Sequence, residues 1–185
     1  KILAGGLPGG AVVGRRDLLE LLDPERAAAR HVEKIGHQGT YNANPLSAAA
    51  GIATLEIIRD SDAVARAHAY AAKLREGVNA VIAEAGIPWA AYGTHTGLHV
   101  FVNPKRLPIG PRSFDPLAMT YADLKIPRGN ETVSKLRLAM RLGGVDLAPW
   151  PGGPASAAHE DRDLDQTLSA FRKALAMLRE EGEVG

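Results

Sequence analysis

The most informative stretch of this sequence is GHQGTYNANPLSAAAGIATLE, residues 36–56. Its first half is polar and typical of a loop. Asn44 followed by Pro45 then indicates the start of a helix, because asparagine caps free N–H groups and proline suits the first helical position. The alanine-rich continuation predicts a helix over about residues 45–59, with small side chains on several faces. Such a helix suits close packing inside a large protein or at a subunit interface.

A glycine-rich segment, KILAGGLPGGAVVGRR, opens the chain at residues 1–16. Glycines permit backbone angles that other residues resist, so the segment predicts a tight turn. The apolar, partly β-branched run at residues 11–13 predicts a short buried strand after that turn. Because the chain starts at Lys1 and runs straight into apolar residues, we expect it to be the C-terminal part of a longer polypeptide.

Lys1 beside this turn has three interpretations. It can be an ordinary surface lysine. It can belong to a phosphate-binding Walker loop, but that motif needs glycines before the lysine and Ser or Thr directly after it, so we discard this interpretation. It can form a Schiff base, which requires a nearby carbonyl group and a pKa low enough for the amine to be nucleophilic. The turn alone does not choose between the first and the third.

The composition excludes several classes of protein. With 185 residues, of which 45% are hydrophobic, the chain is long enough for a substantial core and is not a disordered segment. A net charge of +1 shows no excess of positive charge of the kind that indicates binding to nucleic acid or to an anionic membrane. The absence of cysteine excludes disulfides, thiolate zinc sites and a cysteine nucleophile, and it fits a cytoplasmic protein. No apolar run approaches the roughly 20 residues that span a bilayer.

The remainder of the chain predicts a small α+β unit preceded by a long helix. Apolar residues recur every three or four positions over residues 62–85, and the composition shifts near Gly86. We therefore expect residues 1–60 to belong to a larger core, residues 61–86 to form a linking helix and residues 87–185 to form the small unit. Within that unit we predict strands at residues 89–92, 97–102 and 145–148, helices near residues 116–125, 130–142 and 161–180, and a loop at residues 149–154.

Four motifs of this chain together resemble the class III, or ω-type, pyridoxal-phosphate aminotransferases. They are Lys-x3-GGLPGGA from Lys1, HQGTYNANPLSAAAGIATLE from His37, GVDLAP at residues 144–149 and SAAH at residues 156–159. Within that family the resemblance is to the branch that contains glutamate-1-semialdehyde aminomutase. It implies an α/β fold of the PLP-transferase type I, in which residues 1–60 end the large PLP-binding domain and residues 87–185 form the small C-terminal domain.

The resemblance also implies roles for individual residues. Lys1 matches the lysine that carries pyridoxal 5'-phosphate as an internal aldimine and then moves the proton between substrate and cofactor. Thr40 matches the threonine that binds the cofactor phosphate of the neighbouring subunit, and Gly39 would let the backbone approach it. These roles imply a homodimer that acts on a small-molecule amino donor and a carbonyl acceptor, with neither nucleic acid nor membrane as a partner.

The loop after the LAP motif departs from the aminomutase branch. That branch has an acidic residue there, whereas residues 150–155 read WPGGPA and carry no carboxylate. The departure favours a transaminase that acts on an amine or a β- or ω-amino acid, with a keto acid or aldehyde as partner. The alternative is glutamate-1-semialdehyde 2,1-aminomutase. Trp150 is then either a wall of the substrate pocket or a residue that packs the loop down.

Other residues and functions stay as alternatives. His95 and His99 are four positions apart, but a structural role is favoured over a metal site, and we predict no metal. Arg128, Arg137 and Arg141 are interpreted mostly as one solvated helix face, with one of them a candidate for binding a substrate carboxylate. The rival functions are a non-catalytic, truncated dimerisation or binding module, and a domain whose glycine turn binds an unrelated phosphate ligand.

Overall fold

The computed structural model describes residues 3–184 and separates into two compact units, residues 1–61 and residues 62–185. The long helix at residues 63–85 is part of the second unit. The assignment of residues 1–60 to a larger domain stays a prediction.

The first unit is helical in its described residues. Its elements are α1 (Arg16–Leu19), a short 3-10 turn (Glu20–Leu22), α2 (Pro24–Ala29) and α3 (Pro45–Asp60). The start of α3 confirms the predicted cap, because the Asn44 side chain accepts hydrogen bonds from the N–H groups of Leu46 and Ser47, both at 3.0 Å. Asp23 caps α2 in the same way and accepts from the N–H of Glu25 at 2.9 Å.

The predicted glycine turn packs against α3. Ala4 is buried, and a Cβ placed on Gly5 would come within 2.6 Å of the Thr54 hydroxyl. Gly5 also has a φ of +59°, which favours glycine. The Thr54 hydroxyl donates to the carbonyl oxygen of Ala50 at 2.8 Å. Position 5 therefore needs glycine both for its backbone conformation and for its contact with the helix.

The strand predicted at residues 11–13 is wrong. Val12 is 68% exposed and Val13 is 88% exposed, and both lie in irregular backbone. A strand needs a neighbour that pairs with its N–H and C=O groups, and the described part of the first unit contains no strand. A short β-branched run is therefore not enough to form a strand within this unit.

The second unit combines a sheet with long helices. Its elements are α4 (Ala63–Ala85), β1 (Ala90–Tyr92), β2 (Gly97–Phe101), α5 (Tyr121–Leu124), α6 (Glu131–Leu142), β3 (Gly152–Pro154) and α7 (Asp161–Glu180). Within the described residues the strands form an antiparallel sheet in the order β1–β2–β3. Ala91 lies opposite Val100, and Leu98 lies opposite Gly153.

The core of the second unit lies between the sheet and the helices. Leu98 and Val100 enter it from β2, and His99 between them points to the other face because side chains alternate along a strand. The helices contribute some of the largest buried side chains: Ile82, Leu136, Met140, Phe171 and Leu178. Helices α4 and α7 approach closely at Gly77, where a Cβ would lie 2.7 Å from the Leu168 side chain.

The third strand is not where the sequence predicted it. Residues 145–148 contribute only an isolated bridge between Ala148 and Gly152, among the residues described, and the strand lies at Gly152–Pro154 in the predicted loop. A Cβ on Gly152 would overlap the carbonyl oxygen of Leu98. Glycine therefore lets the two backbones approach closely enough to pair, and this requirement outweighs strand propensity.

The helices of the second unit follow the prediction more closely. Helix α7 covers the residues predicted for it, α6 begins one residue later than predicted, and α4 lies within the residues 61–86 predicted as the linking helix. The helix predicted near residues 116–125 divides into a 3-10 turn, Pro116–Ala118, and α5, because Met119 and Thr120 are extended. No helix within residues 3–184 is long and apolar enough to cross a membrane.

Candidate functional site

The first unit holds an open groove of about 740 Å³ beside α3, here named the α3 groove. The groove is lined by Pro8 and Gly9 of the glycine turn, by residues of the loop before α3 and by Ser47 of α3. Among the described lining residues, the titratable side chains are His37 and Tyr41, and none is a lysine or an arginine. The described lining therefore provides polar and apolar contacts to a bound anion, but it provides no fixed positive charge.

Gly39 and Thr40 lie in the tight turn that leads into α3. The N–H of Asn42 donates to the carbonyl oxygen of Gly39 at 3.0 Å, and a Cβ on Gly39 would come within 2.8 Å of the Asn42 side-chain oxygen. The turn therefore needs a small residue at position 39. Thr40 is exposed and does not line the α3 groove, although its neighbour Tyr41 does. The structure thus places Thr40 on the surface of its own unit.

Lys1, the predicted Schiff-base lysine, lies outside the described residues. Leu3, two positions along the chain, lines the α3 groove. The role of Lys1 and the roles of Gly39 and Thr40 in phosphate binding stay predictions.

The second unit holds a cavity of about 620 Å³ beside the sheet, here named the Trp150 cavity. Strands β1 and β2 contribute Tyr92 and His99, the segment before α6 contributes Arg128, and α6 contributes Arg137. Trp150 lines it from the loop before β3 and is 56% exposed. Trp150 therefore lines a cavity, and its role as a wall of the substrate pocket stays a prediction.

Two arginines supply the fixed charge of the Trp150 cavity. Burial lowers the pKa of His99 and raises the pKa of Tyr92, so both side chains are neutral at pH 7. No Asp or Glu occurs among the described residues that line the cavity. The guanidinium groups of Arg128 and Arg137 therefore give the cavity a positive charge that no described lining carboxylate neutralises.

The three arginines predicted to share one solvated helix face have different surroundings. Arg128 precedes α6 and forms no ion pair with any residue that the structure describes. The Nε of Arg137 donates to the carbonyl oxygen of Leu147 at 2.9 Å. Arg141 does not line the cavity and instead pairs with Asp146 at 2.7 Å. The interpretation as a single solvated face is therefore wrong.

Sequence analysis missed Tyr92 and His99 as cavity residues. Their ring centroids lie 5.3 Å apart, and the Phe114 ring centroid is also 5.3 Å from that of Tyr92. The signal that could have found His99 is the alternation along β2, which puts it on the face opposite Leu98 and Val100. Its pairing with Tyr92 depends on the register of two strands, which the sequence did not specify.

The described residues contain no group of His, Cys, Asp and Glu side chains that could hold a metal ion. His95 and His99, which are four positions apart, contact different aromatic rings. The ring centroid of His95 lies 5.0 Å from that of His68, whereas His99 lies against Tyr92. These contacts are structural.

Comparison with protein families matches residues 1–87 to the model of aminotransferase class III. A curated relative, the glutamate-1-semialdehyde 2,1-aminomutase of Thermomicrobium roseum, is 33% identical over 178 residues, which are 95% of this chain and 37% of that protein. Residues 1–87 thus match the class-III aminotransferase family, and nearly the whole chain is similar to an aminomutase. The predicted family and the predicted branch-level resemblance are confirmed.

Two solved structures share the fold of this chain. One is an ω-transaminase from Sphaerobacter thermophilus, with 26% identity and a TM-score of 0.76, matched over 97% of this chain and 37% of that one. The other is a transaminase with PLP bound, with 24% identity and a TM-score of 0.74, matched over 98% of this chain and 38% of that one. The predicted fold type I is confirmed. The chain spans between 37% and 38% of the length of each of these three proteins.

Proposed function

We propose that the protein to which this chain belongs transfers amino groups with pyridoxal 5'-phosphate as cofactor. The donor is an amine or a β- or ω-amino acid, and the acceptor is a keto acid or an aldehyde. The observation that carries the proposal is the class-III aminotransferase match over residues 1–87, which include Lys1, the glycine turn and the turn at Gly39 and Thr40. The cofactor acts as the electron sink that makes the amino-bearing carbon acidic.

The chain's own part in this chemistry centres on Lys1. Its side-chain amine would hold the cofactor, and it would be the group that carries the proton to and from the reacting carbon. A neutral amine is required for both tasks. The match to the family and the position of Leu3 in the α3 groove support this assignment.

Borohydride reduction tests the proposal directly, because it fixes a lysine–cofactor bond permanently. The protein is reduced as purified, and again after incubation with excess pyridoxal phosphate, and its peptides are mapped by mass. We expect a phosphopyridoxyl adduct on Lys1, its loss in Lys1→Ala and its retention in Lys34→Ala. An unmodified Lys1 in the presence of excess cofactor would contradict the proposal and would favour the non-catalytic binding module.

The proposal includes a homodimer in which Thr40 binds the phosphate of the neighbouring subunit's cofactor. Two observations support it: Thr40 is exposed, and it does not line the α3 groove of its own unit. A hydroxyl group on the surface is available to a second copy of the chain. Gly39 keeps the turn compact beside it.

Mixed dimers distinguish binding across the interface from binding within one subunit. Lys1→Ala and Thr40→Val are each expected to lose most activity as pure dimers. In a mixed dimer, the Thr40→Val subunit supplies a native Lys1 to one site. If Thr40 binds across the interface, the Lys1→Ala subunit supplies a native Thr40 to that same site. We therefore expect activity to return in the mixed dimer. No recovery, or full activity of a monomer, would refute the assignment of Thr40.

Glutamate-1-semialdehyde 2,1-aminomutase is the second candidate function. The relative from Thermomicrobium roseum, which bears that name, favours it. The absence of a carboxylate from residues 150–155 favours the transaminase. Turnover of glutamate-1-semialdehyde to 5-aminolevulinate without a second amino donor would decide for the aminomutase, and a strict need for a separate donor would decide against it.

A further inference from the structure

Another cavity of the second unit, of about 470 Å³, is here named the Trp89 cavity. A volume of this size is in the range of small-molecule sites. It shares Asn130 with the Trp150 cavity, and its other described lining residues are different. Its apolar walls come from four buried side chains: Ile87, Trp89, Val102 and Val184. The Trp89 cavity is therefore separate from the candidate sites described above.

Arg106 brings a positive charge to the Trp89 cavity. It is exposed, and its guanidinium forms no ion pair or hydrogen bond with the described residues. Its backbone has a φ of +53°, and its N–H donates to the carbonyl oxygen of Asn103 at 3.0 Å. A residue other than glycine is strained in this conformation, which persists only where the surrounding structure enforces it.

The structure that enforces this turn is centred on Asn103, which is buried and has a φ of +47°. Its Nδ2 donates to the carbonyl oxygens of Pro88 and Leu107, both at 2.8 Å, and its Oδ1 accepts from the N–H of Leu107 at 2.9 Å. The turn at residues 103–107 is thus fixed to the segment before β1. Because the backbone of Arg106 is already ordered, a ligand does not bear the entropy cost of ordering this loop.

Glu183 brings a negative charge to the same cavity. It belongs to an ion cluster in which Lys135 contacts three carboxylates, those of Glu131, Glu181 and Glu183. Within the described residues no other cation pairs with them, so three carboxylates share one ammonium group and two formal negative charges stay uncompensated. The hydrogen bond from Lys135 lowers the pKa of Glu183, which is therefore ionised at neutral pH. A further cation is favoured beside Glu183.

We propose that the Trp89 cavity binds an amino acid zwitterion with an apolar side chain. The carboxylate of the ligand pairs with Arg106, its ammonium group pairs with Glu183, and its side chain lies against Trp89. The described residues show no ion pair between Arg106 and Glu183, so a ligand that carries both charges can bridge them. A guanidinium offers two parallel N–H donors to a carboxylate, and an indole ring offers a broad apolar surface.

This inference goes beyond the proposed amino transfer. No lysine occurs among the described residues that line the Trp89 cavity, so they contain no side-chain amine that could form a Schiff base with a ligand. The cavity therefore gives the protein a site that holds an amino acid without converting it.

Calorimetric titration of the full protein with three matched compounds tests the proposal. L-leucine carries both charges, 4-methylpentanoate lacks the ammonium group and 3-methylbutan-1-amine lacks the carboxylate, whereas all three share the same branched alkyl group. We expect L-leucine to bind at least about tenfold more tightly than either analogue, because each analogue leaves one charged contact unmade. Equal dissociation constants for the three compounds, or no binding of L-leucine, would overturn the inference.

Matched variants assign the binding to this cavity. Arg106→Gln and Glu183→Gln should each weaken L-leucine binding by about tenfold or more, and their thermal unfolding midpoints report any damage to the fold. Arg112→Gln removes an exposed arginine that lines neither cavity of this unit. Glu131→Gln removes a carboxylate of the ion cluster that does not line the Trp89 cavity. Both controls should bind L-leucine nearly as the native protein does. Full binding by Arg106→Gln, or an equal loss in either control, would overturn the inference.

Lys1→Ala separates this inference from the proposed function, because L-leucine is itself an amino acid and a candidate for the cofactor site. Binding in the Trp89 cavity should survive Lys1→Ala and fall in Arg106→Gln. The reverse pattern would place L-leucine at the proposed cofactor site and overturn the inference, although amino transfer stands. Conversely, binding that depends on Arg106 in a protein without a cofactor adduct on Lys1 would keep the amino acid site and refute the proposed function.

Discussion

The side chain of Asn79 forms two hydrogen bonds with the backbone of Ala91. Its Nδ2 donates to the carbonyl oxygen of Ala91 at 2.8 Å, and its Oδ1 accepts from the N–H of Ala91 at 2.8 Å. Ala91 is buried in β1, at the edge of the sheet described above, so its outward backbone groups have no strand to pair with. Asn79 takes the place of that strand and fixes α4 to the sheet.

Replacing Asn79 should therefore destabilise the second unit. Asn79→Leu leaves a buried N–H and a buried C=O without partners, and we expect it to cost about 2–4 kcal/mol of unfolding free energy. Asn79→Asp keeps the acceptor but places a carboxylate oxygen against the Ala91 carbonyl oxygen, so it should destabilise the unit as well. Urea unfolding followed by circular dichroism measures both, and unchanged stability in Asn79→Leu would show that this clamp is not needed.

The two glycines of β3 should differ sharply in their tolerance of a methyl group. A Cβ on Gly152 would overlap the carbonyl oxygen of Leu98, whereas a Cβ on Gly153 meets nothing within 4 Å. We expect Gly152→Ala to cost about 1–3 kcal/mol or more through overpacking, and Gly153→Ala to be nearly neutral. Thermal unfolding of the pair gives the comparison. Equal midpoints would mean that β3 does not pair with β2 as closely as described.

Helix positions in the second unit were predictable because their signals are local. The stripe of apolar residues in α7 repeats every three or four positions, and Glu160 and Asp163 complete a capping box at its start. Asn44 and Pro45 marked the start of α3 in the same way. Each of these signals lies within a few residues of the element that it specifies, so no knowledge of the tertiary fold was required.

The strands were less predictable because a strand depends on its neighbour. Residues 11–13 and 145–148 have β-branched character but form no strand, whereas Gly152–Pro154 has none and does. The deciding factor for β3 is the close approach of its backbone to Leu98, which depends on a distant part of the chain. Propensity alone carries no information about such a contact.

The two candidate sites also differ in whether a local sequence signal or only the fold identifies them. Gly39 and Thr40 were selected from a continuous motif, and the structure describes a turn at these residues, while their roles stay predictions. The Trp150 cavity draws Tyr92, Arg128 and Trp150 from separate segments, so only the fold brings them together. Among its members the sequence indicated Trp150 as a pocket wall and the arginines as carboxylate candidates, without indicating that they share a cavity.

Leu136 should be the most sensitive apolar position of α6. It is fully buried, whereas Leu138 on the same helix is 62% exposed. Leu136→Ala creates a cavity in the core and is expected to cost about 2–5 kcal/mol, whereas Leu138→Ala should change the unfolding free energy by less than about 0.5 kcal/mol. Denaturant titration measures both. Similar losses for the two variants would mean that another surface covers Leu138.

An ion cluster near the C-terminal end of the second unit should make stability depend on pH. The Nζ of Lys135 lies 2.6 Å from Glu183, 2.9 Å from Glu131 and 3.1 Å from Glu181. The hydrogen bond from Lys135, with a second from Thr132, lowers the pKa of Glu183 below its ordinary value of 4.5. A lowered pKa in the folded state stabilises the fold above the unfolded value, and this contribution is lost as the pH falls through the folded value.

Lys135→Met should therefore lower the unfolding midpoint at pH 7, and its difference from the native protein should shrink as the pH falls below about 4.5. The pKa of Lys135 is raised by the same carboxylates, so the difference should also shrink once the pH exceeds the ordinary value of 10.5 for lysine. Lys173→Met removes an exposed lysine of α7 outside this cluster and is the control. Thermal unfolding between pH 3 and pH 11 follows both variants, and a difference that stays constant across this range would show that the cluster contributes nothing to folding.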